Sequence, residues 1–240
     1  MTINFWLFTL LTLALVAFIG YGTYTTARLL RTWRPDRNLL LLPAENLLRL
    51  VLIGVCLILG LLSGLPPSQL GWSFAQVGQQ LWWGVVGGAV LAIFFYGSTQ
   101  WLVRSTGQRF YSSVVIQAIT PKDAREFMLV LVAMAPVVLL EELLFRSLLI
   151  GGLAPVVPLP LLIVGWSVIF GLLHSPQGMW GMVGAGLGGL VLSLLFVMQG
   201  SLLLPLVAHY VTNVVQVIQA MRLGYAEARS TNDEADLSPS

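Results

Sequence analysis

The sequence predicts an all-α protein, a polytopic bundle of about seven transmembrane helices, and three observations predict it. Hydrophobic residues make up 57% of the 240 residues. Charged residues make up only 9%, against about a quarter in a soluble domain. The apolar residues also gather into runs of spanning length, near 4–24, 46–65, 80–103, 127–151, 157–174, 179–198 and 202–221. A formal net charge of +2 is too small to point to nucleic acid, and no soluble domain or internal repeat is visible.

The first run follows Met1-Thr2-Ile3-Asn4, which carries no Lys or Arg, and continues to about Tyr24 without a small-residue cleavage site. It therefore reads as a retained span rather than a removed leader. The second run holds Cys56, the single cysteine, so no intramolecular disulfide is possible and a packing role is expected. The third run completes a first unit of three spans, 1–103. Segment 104–126 mixes Arg109, Phe110, Tyr111, Val114, Val115 and Ile119, the composition of an interfacial helix. A four-span core over 127–221 follows. The last segment, 222–240, turns polar and acidic with Glu227, Asp233, Glu234 and Asp236, and is expected to be disordered.

The basic residues alternate between loops. Arg28, Arg31, Arg34 and Arg37 follow the first span; Arg104, Arg109, Lys122 and Arg125 follow the third; Arg222 and Arg229 follow the last. By the positive-inside rule the N-terminus is expected outside and the C-terminus in the cytoplasm, in a plasma membrane.

Polar side chains inside the later spans need a reason, because a charge at a helix centre costs roughly 2.5–3.5 kcal/mol on insertion scales. In Glu141-Glu142-Leu143-Leu144-Phe145-Arg146, Glu142 and Arg146 share a helical face and can pair. Arg146 is read as the sole arginine within a span. Glu141 points about 100° away, lacks a local partner, and is a candidate general base. Pairing that merely fixes helix packing is the alternative.

Phe170 and His174 share a face at the end of the fifth span, and His209 and Asn213 share one in the seventh. The second pair has the form of an oxyanion hole, two N–H donors converging on one oxygen. It also fits plain interhelical hydrogen bonding. The sixth span holds Gly181, Gly184, Gly186, Gly188 and Gly189, including a Gly184–Gly188 spacing that lets helices approach closely, and such a helix is expected to bring the fifth and seventh spans near enough to share one site. Pro136, one turn before Glu141, is expected to open its helix.

The ordered set Glu-Glu-x-x-x-Arg at 141–146, Phe-x-x-x-His at 170–174 and His-x-x-x-Asn at 209–213 resembles the CPBP family. That family comprises CAAX prenyl endopeptidases and bacteriocin-processing or immunity-related membrane proteins, also called Abi proteins. The resemblance covers roughly residues 121–221. It implies an intramembrane endopeptidase in which Glu141, helped by His174, activates water, His209 and Asn213 stabilise the oxyanion, and Glu142 with Arg146 holds the base. Phe170 supports the site. The implied partners are membrane lipid and a membrane-anchored or prenylated protein or peptide, with no cofactor.

Three other readings remain open. Glu141, His174 and His209 are also the ligand types of a catalytic zinc site. A bacteriocin-immunity or scaffold protein would use the cluster for stability alone. A transporter would use buried Glu and His as a proton path, although transporters usually show internal repeats. Depth presents one conflict. Glu141 lies about 20 Å from the start of its span at 1.5 Å per residue, whereas His174 closes the fifth span. The motifs can meet only if the fourth span starts tilted or interfacial, or if its boundaries shift.

Overall fold

A computed structural model describes residues 1–29, 32, 37–73, 75–107, 110 and 112–224. Among the described residues it is all-helical. The helices are α1 (Ile3–Leu29), α2 (Pro43–Leu62), α3 (Val77–Thr106), α4 (Val114–Ile119), α5 (Ala124–Glu142), α6 (Leu159–Leu173), α7 (Gly178–Gln199) and α8 (Leu203–Arg222). A π-helical segment, Leu143–Gly151, continues α5. Six of these stretches are long and apolar enough to cross a membrane and α6 is a shorter apolar helix, consistent with about seven spans. Exposed apolar side chains such as Leu10, Ile58, Ile93, Val132 and Met198 stud the outer surface. A lipid-facing surface accounts for so much exposed apolar area. The molecule is an integral membrane protein.

Local chemistry sets the helix limits. Asp123 Oδ1 accepts from Glu126 N at 2.7 Å, and Glu126 Oε2 accepts from Lys122 N at 2.7 Å, a reciprocal cap that starts α5. Pro43 opens α2 where its missing N–H costs nothing. Gly200, in the left-handed region at φ 63°, stops α7.

Two long pairings organise the bundle: α3 lies along α8, and α6 along α7. The close approaches come from glycines other than the expected pair. A Cβ on Gly88 would sit 2.5 Å from the Ala208 carbonyl oxygen, and one on Gly84 would sit 2.7 Å from Val207 Cβ. Thr212 Oγ1, on α8, donates to the Gly88 carbonyl at 3.1 Å. Between α6 and α7, a Cβ on Gly171 would sit 2.6 Å from the Met182 carbonyl oxygen. Gly184 and Gly188 instead leave ordinary contact distances, 3.8 and 3.4 Å, to Phe95. Gly186 and Gly189 of the same glycine-rich helix do meet α6 closely, a Cβ on Gly171 standing 3.1 Å from Gly186 Cα and one on Gly189 3.1 Å from Phe170 Cδ1, and His174 and His209 line one cavity.

Other expectations change as well. The backbone stays α-helical through Pro136, and the departure comes later, where Gly152 N donates to Ser147 O at 2.8 Å across five residues. Within segment 104–126 the described residues place one short helix, α4. Helix α3 extends to Thr106, and the short α4 turns Val115, Ile116 and Ile119 toward an internal cavity. Asn38 anchors this arrangement, donating to the Ile119 carbonyl at 2.8 Å and accepting from Leu40 N. Arg31, Arg34, Arg109, Tyr111, Arg229 and the acidic tail from 225 lie outside the described residues.

Helix α6 has 15 residues and rises only about 22 Å at 1.5 Å per residue, short of the roughly 30 Å hydrocarbon core. His174 and Glu141 line the same cavity, and the Ser175–Gln177 turn joins His174 to α7. Phe110 and Ser112 meet this corner, with Ser112 N donating to Gln177 O and Trp180 N to Phe110 O.

Because Gly88 seats α3 on α8 with no room for a methyl group, Gly88→Ala is expected to destabilise the protein by about 1–3 kcal/mol through overpacking. Gly87, with nothing within 4 Å, is the control, and its alanine variant is expected to be neutral or stabilising. Thermal unfolding in detergent reads both, and equal effects would refute this account of the α3–α8 seam.

Candidate active site

The site starts from the pairing predicted on one turn. Arg146 Nη1 donates to Glu142 Oε1 at 2.9 Å, with the two side chains 1% and 0% exposed. Such a pair depends on further contacts to offset its burial, and these are partial here: Glu142 Oε2 and Arg146 Nε are buried without a hydrogen-bond partner among the described residues. Arg146 Nη2 donates to the Gly189 carbonyl on α7 at 3.1 Å, and the guanidinium lies over the Phe170 ring, 5.0 Å from its centroid. Gly189 is a glycine for a reason: a Cβ there would stand 3.1 Å from Phe170 Cδ1.

His209 reaches the same carboxylate from α8. Its Nδ1 lies 2.8 Å from Glu142 Oε1. A carboxylate paired with Arg146 can only accept, so Nδ1 carries the proton and donates. The other ring nitrogen, Nε2, lies 3.5 Å from Glu141 Oε2. Glu142 thus orients the imidazole and Glu141 faces its opposite edge.

His174 is oriented in the same way. Its Nδ1 donates to the Phe170 carbonyl, one turn back, at 2.7 Å, which leaves Nε2 as an acceptor. Phe170 is the shared wall. Its ring centroid lies 4.6 Å from that of His174, 6.1 Å from that of His209 and 4.9 Å from that of Phe145.

Glu141, Phe170, His174, His209 and Asn213 all line one cavity of about 380 Å³. Glu142 and Arg146 sit behind it, fully buried. The two adjacent acids therefore occupy different environments: Glu142 is consumed by Arg146 and His209, while Glu141 keeps 28% of its side chain exposed. Among the described residues no three His, Cys, Asp or Glu side chains are grouped so as to hold a metal ion. Glu141, His174 and His209, the ligands of the alternative zinc reading, line the same cavity.

Arg49 also lies within a span, so Arg146 is not the sole arginine there. It sits in α2, its side chain 17% exposed, donating to Asn46 Oδ1 at 3.0 Å beside Glu45 at 3.8 Å. It is near enough for its charge to act on Glu141. The criterion that singles out Arg146, a charge within an apolar run, picks out Arg49 equally.

The fold and this cluster define a class: a helical integral membrane protein with a carboxylate, imidazole and carboxamide set opening on an internal cavity. Residues 123–215 match the model of the Rce1-like family, described as type II CAAX prenyl endopeptidase Rce1-like. That segment runs from the cap of α5 to just past Asn213 and contains all three motifs. This likeness covers the part of the chain that carries the candidate site. No curated protein and no solved structure matches the chain.

Removing Arg146 would leave Glu142 as an uncompensated buried charge. Arg146→Ala is expected to cost about 3–5 kcal/mol, whereas replacing both partners together, as Glu142→Leu with Arg146→Met, is expected to recover much of that loss. Unfolding midpoints of the single and double variants measure the difference. A double variant as unstable as Arg146→Ala would show that charge burial is not the cause.

Proposed function

We propose that the protein is an intramembrane endopeptidase in which a glutamate-activated water attacks a peptide carbonyl near or within the membrane. The observation that carries this is the separation of roles between neighbouring acids. Glu142 is buried and committed, while Glu141 faces the cavity without a guanidinium partner, opposite His209 Nε2.

Glu141 takes a proton from the attacking water as general base. His174, with its Nδ1 proton committed to the Phe170 carbonyl, offers Nε2 as a second acceptor beside that water. The developing oxyanion is met by the Asn213 carboxamide and, when its Nε2 carries a proton, by His209. Glu142 holds His209 by its Nδ1–H, and Arg146 holds Glu142. The substrate in this reading is a membrane-anchored or prenylated protein or peptide, and the surrounding lipid is its route of encounter. The Lys and Arg distribution supports an orientation with the α8 C-terminus on the cytoplasmic side.

The test is cleavage of membrane-anchored peptides, with and without prenylated cysteines, by purified full-length wild type and Glu141→Gln, each with and without a strong chelator. Cleavage by the wild type that survives the chelator and vanishes in the variant is the expected outcome. Cleavage lost to the chelator would replace the glutamate mechanism with a metal one, and a folded wild type that cuts nothing would favour a scaffold or immunity role. In the active enzyme Asn213→Leu is expected to lower kcat by about 10²–10³, the usual loss for one oxyanion donor. An unchanged kcat would remove Asn213 from that role.

A further inference from the structure

The cavity continues well beyond Glu141. Gln100 on α3, Gln177 in the turn between α6 and α7, and Gln216 and Gln219 on α8 line it together with Asn213. All four glutamines are partly buried. None of their carboxamides has a hydrogen-bond partner among the described residues. Other polar groups along the same wall are already used: Thr99 Oγ1 accepts from Trp180 Nε1 at 3.0 Å, and the Gln177 carbonyl accepts from Ser112 N at 3.1 Å.

We propose that this arm of the cavity binds the extended main chain of the peptide substrate through the carboxamides of Gln100, Gln177, Gln216 and Gln219. The proposal deepens the endopeptidase reading and rests on it. A carboxamide offers an N–H donor and a C=O acceptor, the complement that each peptide group presents. These carboxamides are partly exposed and not engaged by other side chains, so their donors and acceptors are open to a polar chain that enters the cavity.

The geometry sets the length. Asn213, Gln216 and Gln219 succeed one another at three-residue intervals along α8, so their stripe rises about 9 Å from the first to the last. An extended strand advances about 3.3 Å per residue, so the stripe spans about three substrate residues beyond the oxyanion position at Asn213. Across from it, Leu91 and Phe95 on α3 and Ile116 on α4 form apolar wall. Main-chain recognition against apolar walls takes an uncharged, extended segment and tolerates changes in its side chains.

The experiment is binding of a fluorescent, acyl-anchored, uncharged peptide with blocked ends to full-length Glu141→Gln protein in detergent, alongside analogues in which single amides are replaced by esters. At least one ester is expected to weaken Kd by about three- to tenfold, the usual range for one hydrogen bond. Gln216→Leu and Gln219→Leu, and Gln100→Leu on the facing helix, are expected to weaken the all-amide peptide similarly. Each should also erase the penalty of the ester at the position it contacts, which a merely structural role would not do. If one variant fails to fold, the others carry the test. An unchanged Kd, an ester penalty that persists in all three variants, or no binding at all overturns the subsite. Wild-type cleavage separates the two readings. Glutamine-dependent binding without cleavage overturns the peptidase reading alone, whereas Glu141-dependent cleavage with Kd and KM indifferent to the glutamines overturns the subsite alone.

Discussion

Arg146 is the point on which the C-terminal half turns, because a guanidinium in a membrane interior must have its charge and donors answered by several neighbours at once. Glu142 answers from the preceding turn, the Gly189 carbonyl from α7 and the Phe170 ring from α6. His209 of α8 then closes the set by donating to Glu142. One buried charge therefore ties together four helical elements that have little else polar to specify their register. Apolar packing against lipid-like neighbours is weakly directional. A hydrogen-bonded ion pair is directional: it takes His209 directly through Glu142, and Phe170, on which Arg146 lies, carries the carbonyl that holds His174.

The same cluster explains why two adjacent glutamates do different things. On a helix neighbouring side chains diverge by about 100°, so only one of them can meet Arg146. Glu142 turns inward and disappears from solvent, and Glu141 is left at the cavity wall. Immediately after them the backbone widens into the Leu143–Gly151 π segment, every residue of which is buried. Single-turn π-bulges often accompany functional sites. Here the widened stretch carries Arg146 itself, and Ser147 Oγ donates to the Leu70 carbonyl at 2.8 Å, tying it to the loop after α2.

The first three helices, which carry none of the motifs, still govern the site. Gly84 and Gly88 let α3 lie directly on α8, and Thr212 bonds to the Gly88 carbonyl one residue before Asn213. Tyr210 Oη donates to the Leu131 carbonyl of α5 at 2.9 Å. Helix α8 is thereby held from both sides, and the direction of His209 and Asn213 follows. Helix α2 contributes Arg49, whose charge acts on Glu141. Part of the cavity lining, the polar Gln100 and the apolar Phe95, also belongs to α3 rather than to the segment that carries the motifs.

By itself the sequence determined the membrane class, an all-helical fold of about seven spans, and which polar residues share a helix face. Hydropathy over some twenty residues is a local property, and helical spacing places Glu142 with Arg146 and His209 with Asn213 from sequence alone. What only the tertiary structure decided was which pairs from different helices meet. The His209–Glu142 bond, the seating of Arg146 on Phe170 and Gly189, and the use of Gly88 rather than Gly188 as a close contact all depend on helix rotation and depth. Those are set by the sum of many weak contacts across the bundle. A short α6 could not be distinguished from a full span by its apolar content, so the depth of His174 had to wait for the fold. Main-chain amides, glycine gaps and unpartnered glutamines carry no signal at any fixed spacing, because their meaning lies in what the facing helix presents.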